Sequence, residues 1–307
     1  MLLEGELAAL GGMALRKLSL WNVNGMSQDD WRKFVRSARV LQQADRALTM
    51  TRDFRLEIRS CNIYDLPMLL PGLALSKLEM IYTHNTIAGW KKFVHAMKKM
   101  QSTGSSTPQL ELCIEGSCWG AGELRELAGI SLRRLNLVSV TGTTTTDVAE
   151  FMASARQLQD EATMPLGFKL LVKHDCGWNI QHWREALGNG GPSFQSIDCH
   201  VDEVSMWDFS RLVARKLGTQ GYPITRLHVN STPELFTVLT LVAAFLRSPS
   251  ATERSRGGPD DQGFAILLSE DLQGRYPEAW ETLNLNSIET TRWVDKDTID
   301  SYLLRGI

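Results

Sequence analysis

A strand-then-helix pattern that recurs along the chain is the feature that most constrains its fold. It is clearest in residues 131–160, where Leu135 and Leu137 fall on one face of a short strand because side chains alternate along a strand. Thr141 to Thr146 then interrupt the strand, and an apolar stripe at helical spacing follows, formed by Val148, Phe151, Met152, Ala155 and Leu158. A strand with one buried face and a helix with one buried stripe cannot form a core alone. The pattern therefore predicts stacked copies of one repeating unit.

Nine candidate strands carry this pattern. Their apolar anchors are Leu15/Leu18/Leu20, Leu56/Ile58/Cys61/Ile63, Leu75/Leu78/Met80, Leu110/Leu112/Ile114, Leu132/Leu135/Leu137, Phe168/Leu170/Val172, Phe194/Ile197/Cys199, Ile224/Leu227/Val229 and Phe264/Ile266/Leu268. Equivalent anchors lie 60, 57 and 62 residues apart, at Leu15, Leu75, Leu132 and Phe194, so the period is a pair of unequal units. The longer unit carries a helix with aromatic residues on one face, as in Trp31/Phe34, Trp90/Phe93, Phe151 and Trp207/Phe209. We expect these aromatic residues to pack the helix onto the sheet, and the shorter unit to carry only a short helix such as 122–127.

The repeats predict a single solenoid domain over residues 1–307, because a stack of units can grow without one round core. Residues 5–18 match residues 122–135 almost position for position. This match predicts that the chain begins in the middle of a repeat and is a piece of a longer protein. Residues 249–262 contain almost no apolar side chain and are predicted to form a flexible surface loop.

Composition and charge exclude several classes of protein. Apolar residues at 43% and charged residues at 22% are typical of a globular protein and not of a disordered chain or a coiled coil. A formal charge of −2 provides no general attraction to nucleic acid or to an anionic membrane. The longest apolar run, 235–246, is too short to cross a bilayer. The five cysteines fall mostly in strand motifs and are expected to be reduced. We therefore expect a cytoplasmic protein without a cofactor.

The units L-x-x-L-x-L and L-x-I-x-x-C-x-I resemble those of the leucine-rich-repeat family, in its intracellular helix-containing form with degenerate repeats. The resemblance covers nearly the whole chain. It implies an α/β solenoid, or horseshoe, with a parallel β-sheet on the concave face and helices on the convex face. It also implies protein binding on the concave sheet, and a ladder of Asn or Cys side chains after the strands. Cys61 keeps the ladder residue, and in the other units that place holds Thr83, Ser117, Val140, Asp175, Asp202 and Thr232.

Three rows of side chains are predicted to point out of the sheet, away from the leucines. The basic row precedes the second anchor of each strand and contains Lys17, Arg55, Lys77, Glu111, Arg134, Lys169, Ser196 and Arg226. The middle row contains Ser19, Glu57, Glu79, Cys113, Asn136, Leu171, Asp198 and His228, and the outer row contains Trp21, Arg59, Ile81, Glu115, Val138, Lys173, His200 and Asn230. Six of the eight residues in the basic row are cationic, which favours a partner with an acidic surface.

The candidate partner-binding residues are Lys17, Trp21, Arg55, Arg59, Lys77, Tyr82, Arg134, Lys169, Lys173 and Arg226. Trp21, Tyr82 and Arg59 are the possible anchors, since these residue types dominate binding energy at protein interfaces. The alternative is that the rows are ordinary solvated sheet positions, in which Arg or Lys pairs with Glu across neighbouring strands.

Catalysis and metal binding have weaker support in the sequence. Cys176 follows His174 closely, and His182 is near, so a cysteine hydrolase is one hypothesis. Cys176 also falls near the ladder position, where a buried thiol is expected. Neither C-x-x-C nor H-E-x-x-H occurs, and the glycine-rich stretch 188–192 lacks the lysine of a phosphate-binding loop. That stretch is predicted to end a helix.

The sequence thus favours a non-enzymatic protein-interaction module or scaffold that binds a protein partner on its sheet. The alternative is the recognition part of a larger protein, such as a ubiquitin-ligase adaptor, an innate-immune receptor or a microbial effector. In that case the activity would lie in sequence outside these 307 residues.

Overall fold

The computed structural model describes residues 6–23, 27–44, 54–61, 65–83, 85–102, 109–173, 176–188, 190–199, 208–209, 212–213, 215–216, 226–229 and 265–267. The chain divides into two compact units. The first comprises Met1–Pro165 and His174–Gly177, and the second comprises Leu166–Lys173 and Trp178–Ile307. The predicted loop 249–262 lies outside the described residues.

Five parallel strands form the sheet of the first unit. They are β1 (Lys17–Trp21), β2 (Arg55–Arg59), β3 (Lys77–Ile81), β4 (Leu110–Glu115) and β5 (Leu132–Val138), and each pairs with the next one in the sequence. Helices alternate with them: α1 (Glu6–Leu10), α2 (Gln28–Ala44), α3 (Leu66–Leu69), α4 (Ile87–Ser102), α5 (Glu123–Glu126) and α6 (Thr145–Asp160). Parallel neighbours need a crossover between them, and these helices provide it.

The second unit continues the alternation. Its strands are β6 (Phe168–Lys173), β7 (Phe194–Cys199), β8 (Arg226–Val229) and β9 (Ala265–Leu267), again paired in chain order and parallel, and helix α7 (Ile180–Leu187) joins the first two. All nine predicted strands are therefore confirmed. The described residues form an α/β arrangement of parallel strands and alternating helices, as expected for a solenoid-like protein.

The core consists of the predicted anchors. Leu56, Leu78, Leu112 and Leu135 have no exposed surface, and neither do the aromatic residues of the long helices, Trp31, Phe34, Trp90 and Phe93. The aromatic residues pack edge to face, with ring centroids 5.8 Å apart in the first pair and 6.0 Å apart in the second. Phe209 is likewise buried, whereas Trp207 lies outside the described residues. The aromatic pattern thus packs helices, as predicted.

Two described positions of the predicted apolar pattern are not buried, and the first is the anchor Leu15, which is half-exposed. Leu158 is half-exposed, and the next residue of α6, Gln159, is buried in its place. The Gln159 side chain donates a hydrogen bond to the Pro165 carbonyl at 2.9 Å, which satisfies its amide in the turn after the helix.

The long helices α2, α4 and α6 each begin at a buried carboxylate, which in α2 is Asp30, paired with the Ser27 hydroxyl. In α6, Asp147 accepts hydrogen bonds from the Thr144 hydroxyl and backbone and from the backbone N–H of Gly122, three contacts of 2.8–3.1 Å. In α4 the residue at the position of Asp147 is Gly89, and the carboxylate comes instead from Asp65, which accepts from the backbone and hydroxyl of Thr86. Asp65 occupies the position of Gly122, since both precede a short helix and both have a positive φ. The Asp and the Gly have exchanged places between the two pairs of repeats.

The residue that follows each strand of the first unit has left-handed backbone geometry. The φ angles are between 49° and 63° at Asn22, Ser60, Tyr82, Gly116 and Ser139. Four of these residues also extend the ladder of backbone hydrogen bonds by donating to the neighbouring strand, at 2.8–3.0 Å. The turn that ends each strand is therefore a recurring element of the repeat geometry within this chain.

Side-chain ladder contacts are present at two of the predicted positions, Cys61 and Ser117, whereas Val140 has an apolar side chain that cannot donate one. Cys61 Sγ donates to the carbonyl of Leu20, and Ser117 Oγ donates to that of Thr83. After β6 the equivalent contacts are made by Cys176, one residue later than the predicted Asp175: its Sγ donates to Leu137 O and accepts from Val140 N. Asp175, Asp202 and Thr232 lie outside the described residues.

No helix in the described part of the chain combines the length and the apolar character that a membrane span requires.

Candidate functional site

The three predicted rows are in register across the first unit. Lys17, Arg55, Lys77, Glu111 and Arg134 are successive partners, as are the corresponding residues of the middle and outer rows. The rows alternate along each strand with the buried anchors and so lie on the opposite face, which we call the open face. In the second unit Lys169, Ser196 and Arg226 are also in register.

Most cations of the open face are neutralised within the sheet. Lys17 Nζ lies 2.8 Å from Glu57 Oε1, and Lys77 Nζ lies 2.6 Å from Glu79 Oε2. Arg59 also binds Glu79, at 2.6 Å, and its guanidinium lies 4.9 Å from the centre of the Trp21 ring. Both glutamates are 7% exposed. Pairing of Arg or Lys with Glu across strands, the alternative interpretation of the rows, is therefore what the structure has at Lys17 and Arg59. Lys77 pairs most closely with Glu79 of its own strand and lies 3.9 Å from Glu57 of the neighbouring strand.

Two arginines of the basic row remain without an ion pair. No carboxylate in the described ranges lies within 4.0 Å of the guanidinium of Arg55 or Arg134. Arg55 is exposed, and Arg134 is half-buried with an Nε that has no hydrogen-bond partner among the described residues. Arg133, the extra residue of a bulge in β5, is 3.8 Å from Glu111 and was not among the predicted residues. A bulge shifts the alternation by one residue, so spacing alone could not place Arg133 on this face.

Glu57 links the electrostatics of the face to folding. Burial alone would raise the pKa of Glu57, but hydrogen bonds from Lys17 and Ser19 and the charge of Lys77 outweigh it and hold the pKa below its ordinary value. A carboxyl group whose pKa is lower in the folded state stabilises that state above its unfolded pKa, about 4.3, and loses this effect as the pH falls through the folded value.

We therefore expect Glu57→Gln to lower the free energy of unfolding at pH 7 and to have a smaller effect at pH 3. Urea denaturation of both proteins at several pH values measures the difference. Glu115→Gln is the control, because Glu115 lies on the same face and has no ion pair with any described residue, and it should show no such trend. An equal loss for Glu57→Gln at pH 3 and pH 7 would mean that the ion pairs of Glu57 do not contribute to stability.

Two aromatic side chains stand out from the ends of strands β1 and β3. Trp21 and Tyr82 are each 61% exposed. Tyr82 has a φ of 51°, a conformation that is strained for a bulky residue and is filled by Asn, Ser or Gly at the equivalent positions. Its ring covers the Cα of Gly116, where an added Cβ would overlap the Tyr82 ring. The chain thus retains an exposed aromatic residue where a small polar one would be easier to accommodate.

This strain predicts that Tyr82→Asn is more stable than Tyr82→Ala by about 0.5–1 kcal/mol, because Asn tolerates the left-handed region and Ala does not. Both variants lose the ring, so the comparison isolates the backbone term. The midpoint of chemical denaturation measures it. Equal stabilities would show that position 82 is not strained.

The remaining predicted site residues belong to the second unit. Lys173 pairs with Asp198 at 3.0 Å, so it too is neutralised within its sheet. Lys169 is half-exposed in β6, and Arg226 lies in β8. The cluster of ion pairs formed by Lys17, Glu57, Lys77 and Glu79 lies in the first unit.

Cys176 and His182 both make contacts within the fold. Cys176 is 6% exposed, and its Sγ makes the two ladder contacts described above. His182 Nδ1 accepts from the backbone N–H of Asn179 at 3.2 Å and completes the N-terminal capping of α7, while its ring stacks on Trp178. His174 lies outside the described residues. Burial also raises the pKa of Cys113, in the middle row, to about 11, with a further increase from the charge of Glu79.

The glycine-rich stretch ends α7, as predicted: Gly188 is the C-terminal cap, and Gly191 N donates to Gly188 O at 3.0 Å. Within the described ranges, no group of three His, Cys, Asp or Glu side chains could hold a metal ion. Comparison with models of protein families, with curated proteins and with solved structures finds no match to this chain.

Proposed function

We propose that this chain is a solenoid of the leucine-rich-repeat type that acts in the cytoplasm as a non-enzymatic protein-interaction module. Its partner would be a protein with an acidic surface that binds the open face of the first unit. The side-chain ladder through Cys61, Ser117 and Cys176 and the alternation of helices with parallel strands support the repeat type.

The observation that carries the proposal is the division of the basic row into paired and unpaired cations. Lys17 and Lys77 are held by buried glutamates, which leaves Arg55 and Arg134 as charges without an ion-pair partner among the described residues. A guanidinium is well suited to bind a carboxylate through two parallel hydrogen bonds. Trp21 and Tyr82 add exposed aromatic surface at the ends of β1 and β3, and such residues often anchor a partner.

The test compares Arg55→Glu/Arg134→Glu with the wild-type chain as bait in a pull-down read by mass spectrometry. Arg36→Glu/Lys92→Glu is the control, because it changes the total charge equally at exposed positions of α2 and α4. We expect the first variant to lose a partner that the control retains, and its association rate with that partner to fall by about tenfold with a weaker dependence on salt. Lys77 is left unchanged, since a glutamate there would face Glu57 and Glu79 and disturb folding. Capture of the same proteins at the same rate by all three baits would refute binding through the basic row.

A further inference from the structure

We infer that the open face recognises an extended acidic segment which crosses strands β2 to β5 and presents two carboxylates four residues apart, one to Arg55 and one to Arg134. This inference rests on the proposed function and adds the conformation and the spacing of the ligand. Its basis is charge complementarity between two unpaired guanidiniums and the partner.

The spacing follows from the geometry of the sheet. Arg55 and Arg134 occupy the same row and are separated by three strand intervals, on β2 and β5. At about 4.8 Å per interval, their Cα atoms lie about 14 Å apart. An extended chain rises about 3.3 Å per residue, and its side chains alternate, so residues i and i+4 point to the same side about 13 Å apart. Carboxylates at i and i+3 or at i and i+5 would point to opposite sides.

The positions between the two arginines restrict the ligand further. Residue i+2 of such a segment would face the region of Lys77 and Glu111. Lys77 is already bound to Glu79 and Glu57, at 2.6 and 3.9 Å. The Glu111 side chain is 30% exposed, and its carboxylate lies 3.8 Å from Arg133. A third carboxylate at i+2 would therefore meet repulsion and cations that are already paired, and we expect a neutral residue there.

The experiment selects displayed peptides of twelve random residues against the intact chain, with Arg55→Ala/Arg134→Ala as the counter-selection target. The expected result is enrichment of peptides with an acidic pair at i and i+4 and a neutral residue at i+2. Moving one acid by a single position should weaken binding by about three- to tenfold, measured with synthetic peptides. Arg134→Glu should abolish binding of such a peptide. Two peptide variants, one with Arg in place of the acid at i and one with Arg in place of the acid at i+4, are then tested against Arg134→Glu, and one of the two should bind again.

Three results would overturn the inference, and they separate it from the proposed function. The selected peptides could lack an acidic pair and depend on Trp21 or Tyr82 for binding. That result would support protein binding on this face and would contradict recognition of an acidic segment. A pull-down partner with no selected peptide would mean that the partner binds as a folded surface. Absence of both a partner and a peptide would remove the inference together with the proposed function.

Discussion

Replacement of Gly89 by Asp should destabilise the first unit by at least about 3 kcal/mol, whereas the same substitution combined with Asp65→Gly should be close to neutral. A Cβ at Gly89 would overlap Asp65 Oδ1, and a second carboxylate would add like charge in a buried site. Asp65→Gly alone removes the hydrogen bonds to Thr86, at about 1–2 kcal/mol, but relieves the positive φ of 56°. The double variant would recreate the arrangement of Gly122 and Asp147, with the new carboxylate at position 89 capping the helix through Thr86.

Chemical denaturation of the four proteins provides the coupling energy, which we expect to exceed about 2 kcal/mol. Gly89→Ala is the matched control: it should destabilise the wild-type chain, because the added Cβ alone meets Asp65, and it should stabilise the Asp65→Gly background by about 1 kcal/mol, since Ala is a better helix former than Gly. Additive effects of the two Asp–Gly substitutions would show that residues 65 and 89 do not share one site.

The second large effect on stability is expected from substitution of Leu135, whose side chain is fully buried in the middle of β5. Leu135→Asp places a carboxylate among the buried apolar anchors, so we expect a loss of about 5 kcal/mol or more and unfolding of the neighbouring repeats. Circular dichroism and the thermal midpoint measure it.

Ser139→Asp is the control for Leu135→Asp, since it adds the same charge just after β5, at a half-exposed position with a φ of 51° that Asp tolerates. The control should change the thermal midpoint by no more than a few degrees. A Leu135→Asp variant that melts like the control would contradict stacking of the strands.

Periodicity was sufficient to predict the strands and the rows, because both depend only on the alternation of side chains and on the spacing of leucines. The register of Lys17, Arg55 and Lys77 follows directly from it. The ion pairs were foreseeable as an alternative, since Glu57 and Glu79 occupy the same offset in neighbouring strands. The sequence could not predict which arginines remain unpaired, because that depends on side-chain conformations across three strands.

Other features could not be predicted because they depend on local departures from the repeat. The bulge at Arg133 changes the alternation within β5, and the ladder contact passes to Cys176 one residue later than the regular spacing allows. The left-handed backbone conformation of Tyr82 could not be predicted either, because Tyr normally avoids this conformation. In each case a single residue departs from its local preference because the geometry of the repeats requires it.

The exchanged positions of Asp and Gly indicate which segments of this chain could be duplicated or recombined. The carboxylate site is shared between a short helix and the long helix that follows the next strand, so its two halves must be inherited together. A crossover that joined Asp65 to the segment containing Asp147 would place two carboxylates in one site, and the reciprocal crossover would leave Gly122 and Gly89 with none. The viable module for repeat shuffling is therefore the pair of unequal units, cut before the short helix, and a design that lengthens this array of repeats should add residues in blocks of that size.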